Sequence, residues 1–486
     1  MEFYPPESVA SAPVRGDTIR TATRRVHFIM RPPFDPCPGP TRRELLRAGG
    51  LSAFGLTLPH LLAGRANASN GGRKAKNCIV LFLLGGPPQH STWDPKPDAP
   101  AEVRGEFGPI DTNVPGIRVG SLFPLLAKQA DKLCLLRAVS TDDNAHSSSG
   151  YAMLTGVPHA PKNAEGVNPG PPNDSPTLGA LVRRLRGDRG GLPGAARLPM
   201  HIFNTDNSVW PGQDAGYLGR NSDPWLFRCE PASPTFRVPE LSLSPDVPLD
   251  RLAERRDLFR RLDRGIAAGT DARSAPSDRY TEQAFNLLGS TSARAAFELG
   301  RESPKLRDRY GRTQFGQSCL LARRLVEAGV GLVHVNWFRG PEEPSDAPCW
   351  DSHSNEAARL KTVLAPTADR AFSALLEDLA DRGLQDDTLV MCISEFGRTP
   401  KFNGRAGREH WGHVFSVALA GGGVKGGTVH GASDKSGAYP KDGRVSPADL
   451  TATALHCLGF DPASDIYDAF NRPVPASRGT VIRGVV

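Results

Sequence analysis

Several features are missing from this chain of 486 residues, and each absence removes a class of protein. The eight cysteines are scattered and include no C-x-x-C pair, so no spacing selects a disulfide and none is expected. Cys78 and Cys392 sit inside apolar, strand-like runs and read as core residues. There is no internal repeat. No apolar stretch reaches the roughly twenty residues that span a bilayer comfortably. "GGPP" and "GGGVKGG" lack the context of a phosphate-cradling loop and read as tight turns after strands. A sustained excess of one charge is missing too. The formal net charge is +7, but the first 68 residues hold nine arginines against five acids, which leaves 50 Lys and Arg against 47 Asp and Glu, or +3. That balance carries no nucleic-acid footprint.

The arginines near the N-terminus have their own explanation. "TRRELLRAGGLSAFGLTLPHLLAGRANA" sets the pair Arg42-Arg43 before a mildly apolar stretch that closes on Ala66-Asn67-Ala68. This is the pattern of a twin-arginine export signal with an A-x-A cleavage site. It predicts a leader over 1–68 and a mature chain over 69–486, exported to the periplasm, cell envelope or exterior, with no transmembrane span left after processing. Met30 would start a leader of more ordinary length. Twin-arginine export carries folded proteins, often already loaded with metal, which favours a cofactor.

The mature chain alternates apolar runs with helical patterns. Strands are expected at "NCIVLFLLGG" (77–86), "KLCLLRAV" (132–139), "PMHIFN" (199–204), "GVGLVHVNW" (329–337), "DTLVMCISEFG" (387–397) and "HVFSVALAGGG" (413–423). This alternation predicts an α/β domain whose mostly parallel central sheet, with the strand near Asn77 at or near its centre, is covered by helices on both faces. Residues 205–320 are helix-rich and polar and read as an insertion or cap. Within them "RLAERRDLFRRLDR" reads as a solvated amphipathic helix.

In such a sheet, sites form where strands end in loops at the carboxyl edge. Four candidate loops carry acids and histidines there. They hold His90 and Asp94; His146 with Ser147, Ser148 and Ser149; Asp351 and His353; and Glu395 followed by His410. Imidazole nitrogen and carboxylate oxygen suit zinc, manganese or calcium in differing degrees. An Asp-x-His spacing puts both side chains on one side of an extended segment. Taken singly, each residue reads equally as a cap, a loop hydrogen bond or a surface histidine; four loops on one edge read as a divalent-metal centre. Arg398 and Arg408 either clamp an oxyanion or pair with Glu395 or Glu409 as scaffolding.

The stretches "LFLLGGPPQHSTWDPKP", "HSSSGYAMLTG", "WDSHSNE", "SEFGRTPKFN", "GREHW" and "ALAGGGVKGGTVHGASD" together resemble a sulfatase-like family of exported bacterial proteins, the domain-of-unknown-function family 1501. The resemblance implies an alkaline-phosphatase-like three-layer sandwich. Asp351, His353 and His410 resemble that superfamily's metal ligands, and Glu395 stands where it carries an Asp. The departures are Phe396, where a ligand His is usual, and Gly85-Gly86-Pro87, where the first strand usually ends in a ligand Asp. A nucleophile is implied near the start of a helix, where Ser147, Ser148 and Ser149 follow His146 with no choice among them decided. The only C/S-x-P-x-R string, "SAPVR" at 11–15, lies in the leader, so a formylglycine sulfatase is not expected. The implied activity is metal-dependent hydrolysis of phosphate or sulfate esters, on a small anionic ester or a sulfated or phosphorylated glycan, with Arg398 and the serines in catalysis. The alternative is an inactive metal- or ligand-binding envelope protein on the same fold.

The leader makes a direct prediction. N-terminal sequencing of the exported protein is expected to begin at Ser69, and replacing Arg42 and Arg43 by lysine to leave precursor in the cytoplasm. Mature protein that retains Arg42 would refute the processing.

Overall fold

Residues 75–204, 206–238, 241, 247–267, 275–337 and 349–486 are described by a computed structural model. The leader, with its paired arginines and cleavage site, lies outside them. Apolar runs without a polar alternate face must be covered on both sides, and that requirement organises the molecule. Eight strands make one sheet. They are β1 (Asn77–Phe82), β2 (Leu133–Val139), β3 (Ala195–Leu198), β4 (Trp225–Leu226), β5 (Leu332–Asn336), β6 (Thr388–Ile393) and, after a small separate ladder of β7 (Gly397–Arg398) and β8 (His410–Trp411), β9 (Phe415–Gly421) and β10 (Thr428–His430). Their order across the sheet is β10-β2-β9-β6-β1-β5-β3-β4.

Every neighbouring pair is parallel except those that involve β9, which runs against both β2 and β6. β1 therefore lies in the middle of the sheet, between β5 and β6, as its unbroken apolar sequence requires. Cys78 and Cys392 are buried. The fold is α/β, with a mostly parallel sheet between helical layers.

One strand expectation needs correction. "PMHIFN" is not a strand: β3 is the preceding Ala195–Leu198, and Pro199, which has no N–H to give a ladder, begins a turn whose Ile202 amide bonds the side chain of Gln213 instead. β9 is antiparallel, so it starts at the edge where the parallel strands finish. That reversal returns the segment around His410 to the carboxyl edge.

One face of the sheet carries α1 (His146–Thr155), α2 (Leu178–Arg186) and, later in the chain, a helix over Pro447–Cys457; Met153, Leu178 and Leu450 of these meet Val80, His334 and Met391 of the strands. The other face carries helices over Gln314–Glu327 and Ala365–Asp381, which pack against each other. Local signals set the ends. Thr313 accepts from the Gly316 amide, and Ser446 with Asp449 forms a capping box ahead of Pro447. In the 205–320 region the charged run does form a helix, Leu249–Ala267, beside Ala275–Gly289. Leu252 on it is buried while Leu258 and Leu262 are exposed.

The turn after β1 fixes how closely two loops approach. Gly85 has φ +112°, and a Cβ there would lie 2.2 Å from the Asp351 amide nitrogen. Gly86 has φ +83°, and its Cβ would meet the Phe396 ring at 2.6 Å. Only glycine allows both the backbone angle and the contact. Gly85→Ala is expected to lower unfolding stability by at least about 2 kcal/mol and to displace Asp351; denaturant unfolding measures the first and metal content the second.

Candidate metal centre

The carboxyl edge collects side chains from four places in the sequence. β6 delivers Glu395, which is fully buried just past its end. One Glu395 oxygen accepts from the Gly85 amide at 2.8 Å, and the other accepts from the Ser394 hydroxyl at 2.8 Å. His146 opens α1 and donates from Nδ1 to Glu395 Oε1 at 2.8 Å. Asp351 follows Trp350, a buried indole whose amide is tied to the Leu84 carbonyl at 2.9 Å. His410 pairs with Arg398 across the β7–β8 ladder.

Each of three imidazoles is anchored at Nδ1 by an oxygen that can only accept: His146 by Glu395, His410 by the Asn144 carbonyl at 2.8 Å, and His353 by the Glu409 carboxylate. Each is thereby left with Nε2 facing Asp351. His353 Nε2 is 2.9 Å from Asp351 Oδ1, His410 Nε2 is 3.1 Å from that same oxygen, and His146 Nε2 is 3.1 Å from Oδ2. The Nε2 atoms of His353 and His410 are 2.9 Å apart. Phe396 stacks on His410 with ring centroids 4.4 Å apart and lies 4.9 Å from His146, so it supports both rings.

The charges around Asp351 are unequal. Burial works against its carboxylate, but His146 and Arg398 outweigh burial and hold its pKa well below the ordinary range. Burial likewise pulls on His146, and the Asp351 and Glu395 carboxylates overcome it and lift its pKa to about 9. His410 is shifted the other way, chiefly by burial.

These residues fit a divalent metal. His146, Asp351 and His410 each offer a ligand atom, and those atoms lie within 4.8 Å of one another. His146 Nε2 is buried, and despite its distance to Asp351 it has no aligned hydrogen-bond partner among the described residues. A ring whose Nδ1–H is bonded to a carbonyl or carboxylate presents its other nitrogen as a lone pair, which is how protein imidazoles are oriented for metals. A metal here would bind through these nitrogens, displacing from His146 the proton that a pKa of about 9 keeps on it in the metal-free protein. His353, the most open of the three, has a side chain 29% exposed.

The other sequence candidates lie differently. Glu395 reaches the cluster through His146, with both carboxylate oxygens already bonded. Arg398 is fully buried. It bonds Asp351 Oδ1 at 2.7 Å and the carbonyls of Gly86, Arg408 and Trp350, so its geometry is that of a brace for Asp351. Ser147 and Ser148 are fully buried; Ser147 donates to Asn204 Oδ1 at 2.6 Å and Ser148 to Asp143 Oδ1 at 2.8 Å. His90 and Asp94 are not brought to the cluster. Past Gly86 the chain turns away through a short 3-10 turn, His90 bonds the Ser436 carbonyl, and Asp94 faces Lys96, Arg137 and Ser433. That loop contributes Gln89 instead, whose amide bonds both the N–H and the carbonyl of Arg398.

Asn144, Gln89 and the orienting role of Glu409 carry little sequence signal, because two of them act through or upon backbone groups. Glu409 had one available: it sits directly beside His410 in "GREHW".

Fold and cluster together describe an α/β protein with a histidine–carboxylate centre at the carboxyl edge of its sheet. The chain belongs to the family described as "Protein of unknown function (DUF1501)", whose sequence pattern it matches over residues 75–486. Among curated proteins, none matches its sequence. Solved structures similar to it include the PsFucS1 sulfatase from Pseudoalteromonas sp., at 14% identity and TM-score 0.37, with 82% of this chain and 70% of that chain covered. The phosphonate monoester hydrolase SpPMH from Silicibacter pomeroyi matches at 14% identity and TM-score 0.37, covering 84% and 76%. The lipoteichoic acid synthase LtaP from Listeria monocytogenes matches at 10% identity and TM-score 0.35, covering 87% and 82%. At such scores these likenesses say nothing about the chemistry of this centre.

Asp351→Ala and His410→Ala are each expected to lose bound metal and to melt at lower temperature, because metal binding is linked to folding. Glu395→Gln is expected to retain metal with affinity lowered about 10- to 100-fold. Elemental analysis after dialysis reads all three, and full metal content in both alanine variants would show that these residues are not ligands.

Proposed function

We propose that this protein is an exported, metal-dependent hydrolase of anionic esters, acting on phosphate or sulfate groups of a small molecule or a glycan. The observation that carries the reading is the set of three imidazoles, each fixed through Nδ1, whose Nε2 atoms surround Asp351. His146, Asp351, His353 and His410 would hold the metal. When bound, a divalent cation polarises an ester oxygen, stabilises the negative charge that builds up and makes water a stronger nucleophile.

The protein's own groups have separable tasks. Glu395 keeps the His146 proton on Nδ1, and Glu409 does the same for His353. Arg398 holds Asp351 ionised and in place. Water is favoured as the nucleophile over Ser147 and Ser148, since both hydroxyls are buried and already donate to acceptors in the protein. That same observation favours the second reading, a metal-binding envelope protein without turnover.

Protein purified from an export-competent host, loaded with zinc or manganese and assayed on aryl phosphates and aryl sulfates, separates the two. Ester cleavage removed by chelator and restored by metal is expected. Ser147→Ala and Ser148→Ala should retain it, while Asp351→Ala should abolish it. Stoichiometric metal with no cleavage of any ester would assign the binding role.

A further inference from the structure

A second group of buried polar atoms lies on β3, β5 and the turn that follows β3, outside the centre described above. Arg197 is 2% exposed, yet its side chain's only hydrogen bond among the described residues runs from Nη1 to Gln213 Oε1 at 3.1 Å. Its Nε has no partner, and no described carboxylate forms an ion pair with it. Asp214 and Asp223 act on it only from beyond ion-pair distance, and burial lowers its pKa to about 10, which leaves it charged at neutral pH. A buried guanidinium without an ion-pair partner is unfavourable unless something compensates its charge.

The side chains nearest Arg197 in the sheet and the following turn are imidazoles, while Asp214 and Asp223 act only from beyond ion-pair distance. His334 stands opposite it in the β3–β5 register, is buried, and has an unpartnered Nε2. His201 follows within the same turn, and its Nδ1 has no aligned partner among the described residues; Arg197 and Arg228 bear on it with positive charge, against Asp214 and Gln213. Asn336, two residues beyond His334 on the same side of β5, offers the one unpartnered acceptor, Oδ1, while its Nδ2 is held by the Met200 carbonyl. A small rotation of Asn336 could satisfy one donor and would leave the positive charge uncompensated. A water molecule in the same place would leave it uncompensated as well.

We propose that Arg197, His334 and His201 enclose a binding site for a small inorganic anion of the chloride class. The anion takes the Arg197 Nε–H and the imidazole N–H groups, and it balances the buried charge between β3 and β5. The site owes nothing to the metal centre and contains none of its residues.

The test uses the full mature chain, metal-loaded and dialysed into gluconate, a polyhydroxy carboxylate too bulky for an enclosed site. Titration with chloride, bromide or nitrate is expected to raise the melting temperature saturably, by about 3 °C for millimolar affinity. Arg197→Met is expected to remove that dependence. If this variant fails to fold, crystals of the wild type soaked in bromide decide, through an anomalous peak within hydrogen-bond distance of Arg197. A melting temperature indifferent to the anion, no bromide peak at Arg197, or a carboxylate of the chain itself on the guanidinium would each overturn the proposal.

Discussion

The structure turns on one carboxylate, Asp351, which must stay ionised although its side chain is only 10% exposed. It does so because the charges of His146 and Arg398, with the hydrogen bond from His353, outweigh burial. Each of those partners is in turn positioned by something that cannot easily move. Arg398 is held by backbone carbonyls and by Gln89. Asp351 itself rides on a backbone segment that packs against Gly85 so closely that no side chain could intervene. The glycines after β1, which have no chemistry of their own, thereby become conditions for the site. They bring two loops into backbone contact and leave the amide of Gly85 free to bond Glu395.

Around that carboxylate the polar groups are ordered by distance from Asp351. Atoms facing Asp351 are imidazole Nε2. Behind them lie Glu395, Glu409 and the Asn144 carbonyl, which set the tautomers. Behind these lie Ser394, the Gly85 amide and Asn403, which hold the carboxylates. The free amide of His146 at the start of α1 is answered by Glu165, at 2.6 Å, so the positive end of that helix does not meet the cluster uncompensated. A network satisfied at each level is rigid, and rigidity is what a metal site needs from its second layer of residues.

Much of the architecture was legible in the order of the residues. Strand β1 has no polar alternate face, so it had to lie in the middle of a covered sheet, and it does. The Asp-x-His spacing of "WDSHSNE" put Asp351 and His353 together, and "GREHW" marked His410. What failed was local in the same sense. "PMHIFN" carries a strand-like composition, but Pro199 cannot join a ladder, and the strand ended before it. His90 and Asp94 follow the central strand at a spacing that reads as a metal-binding pair, yet the turn beyond Gly86 sends them toward Ser436 and Ser433.

The sequence by itself determined the fold class, the edge of the sheet at which acids and histidines would gather, and most of the residues that gather there. Periodicity and strand ends are short-range properties and are written along the chain. The direction of β9, the choice between ligand and support for Glu395, and the use of Arg398 as a brace for Asp351 were decided only by the tertiary structure. Glu395 meets its partners across 249 and 310 residues, Arg398 reaches Gly86 across 312 and Asp351 across 47, and a carboxylate's role follows from what its two oxygens already bond. The same holds for Arg197. Its sequence neighbours look ordinary, and only packing between two strands reveals a buried charge that no described carboxylate pairs.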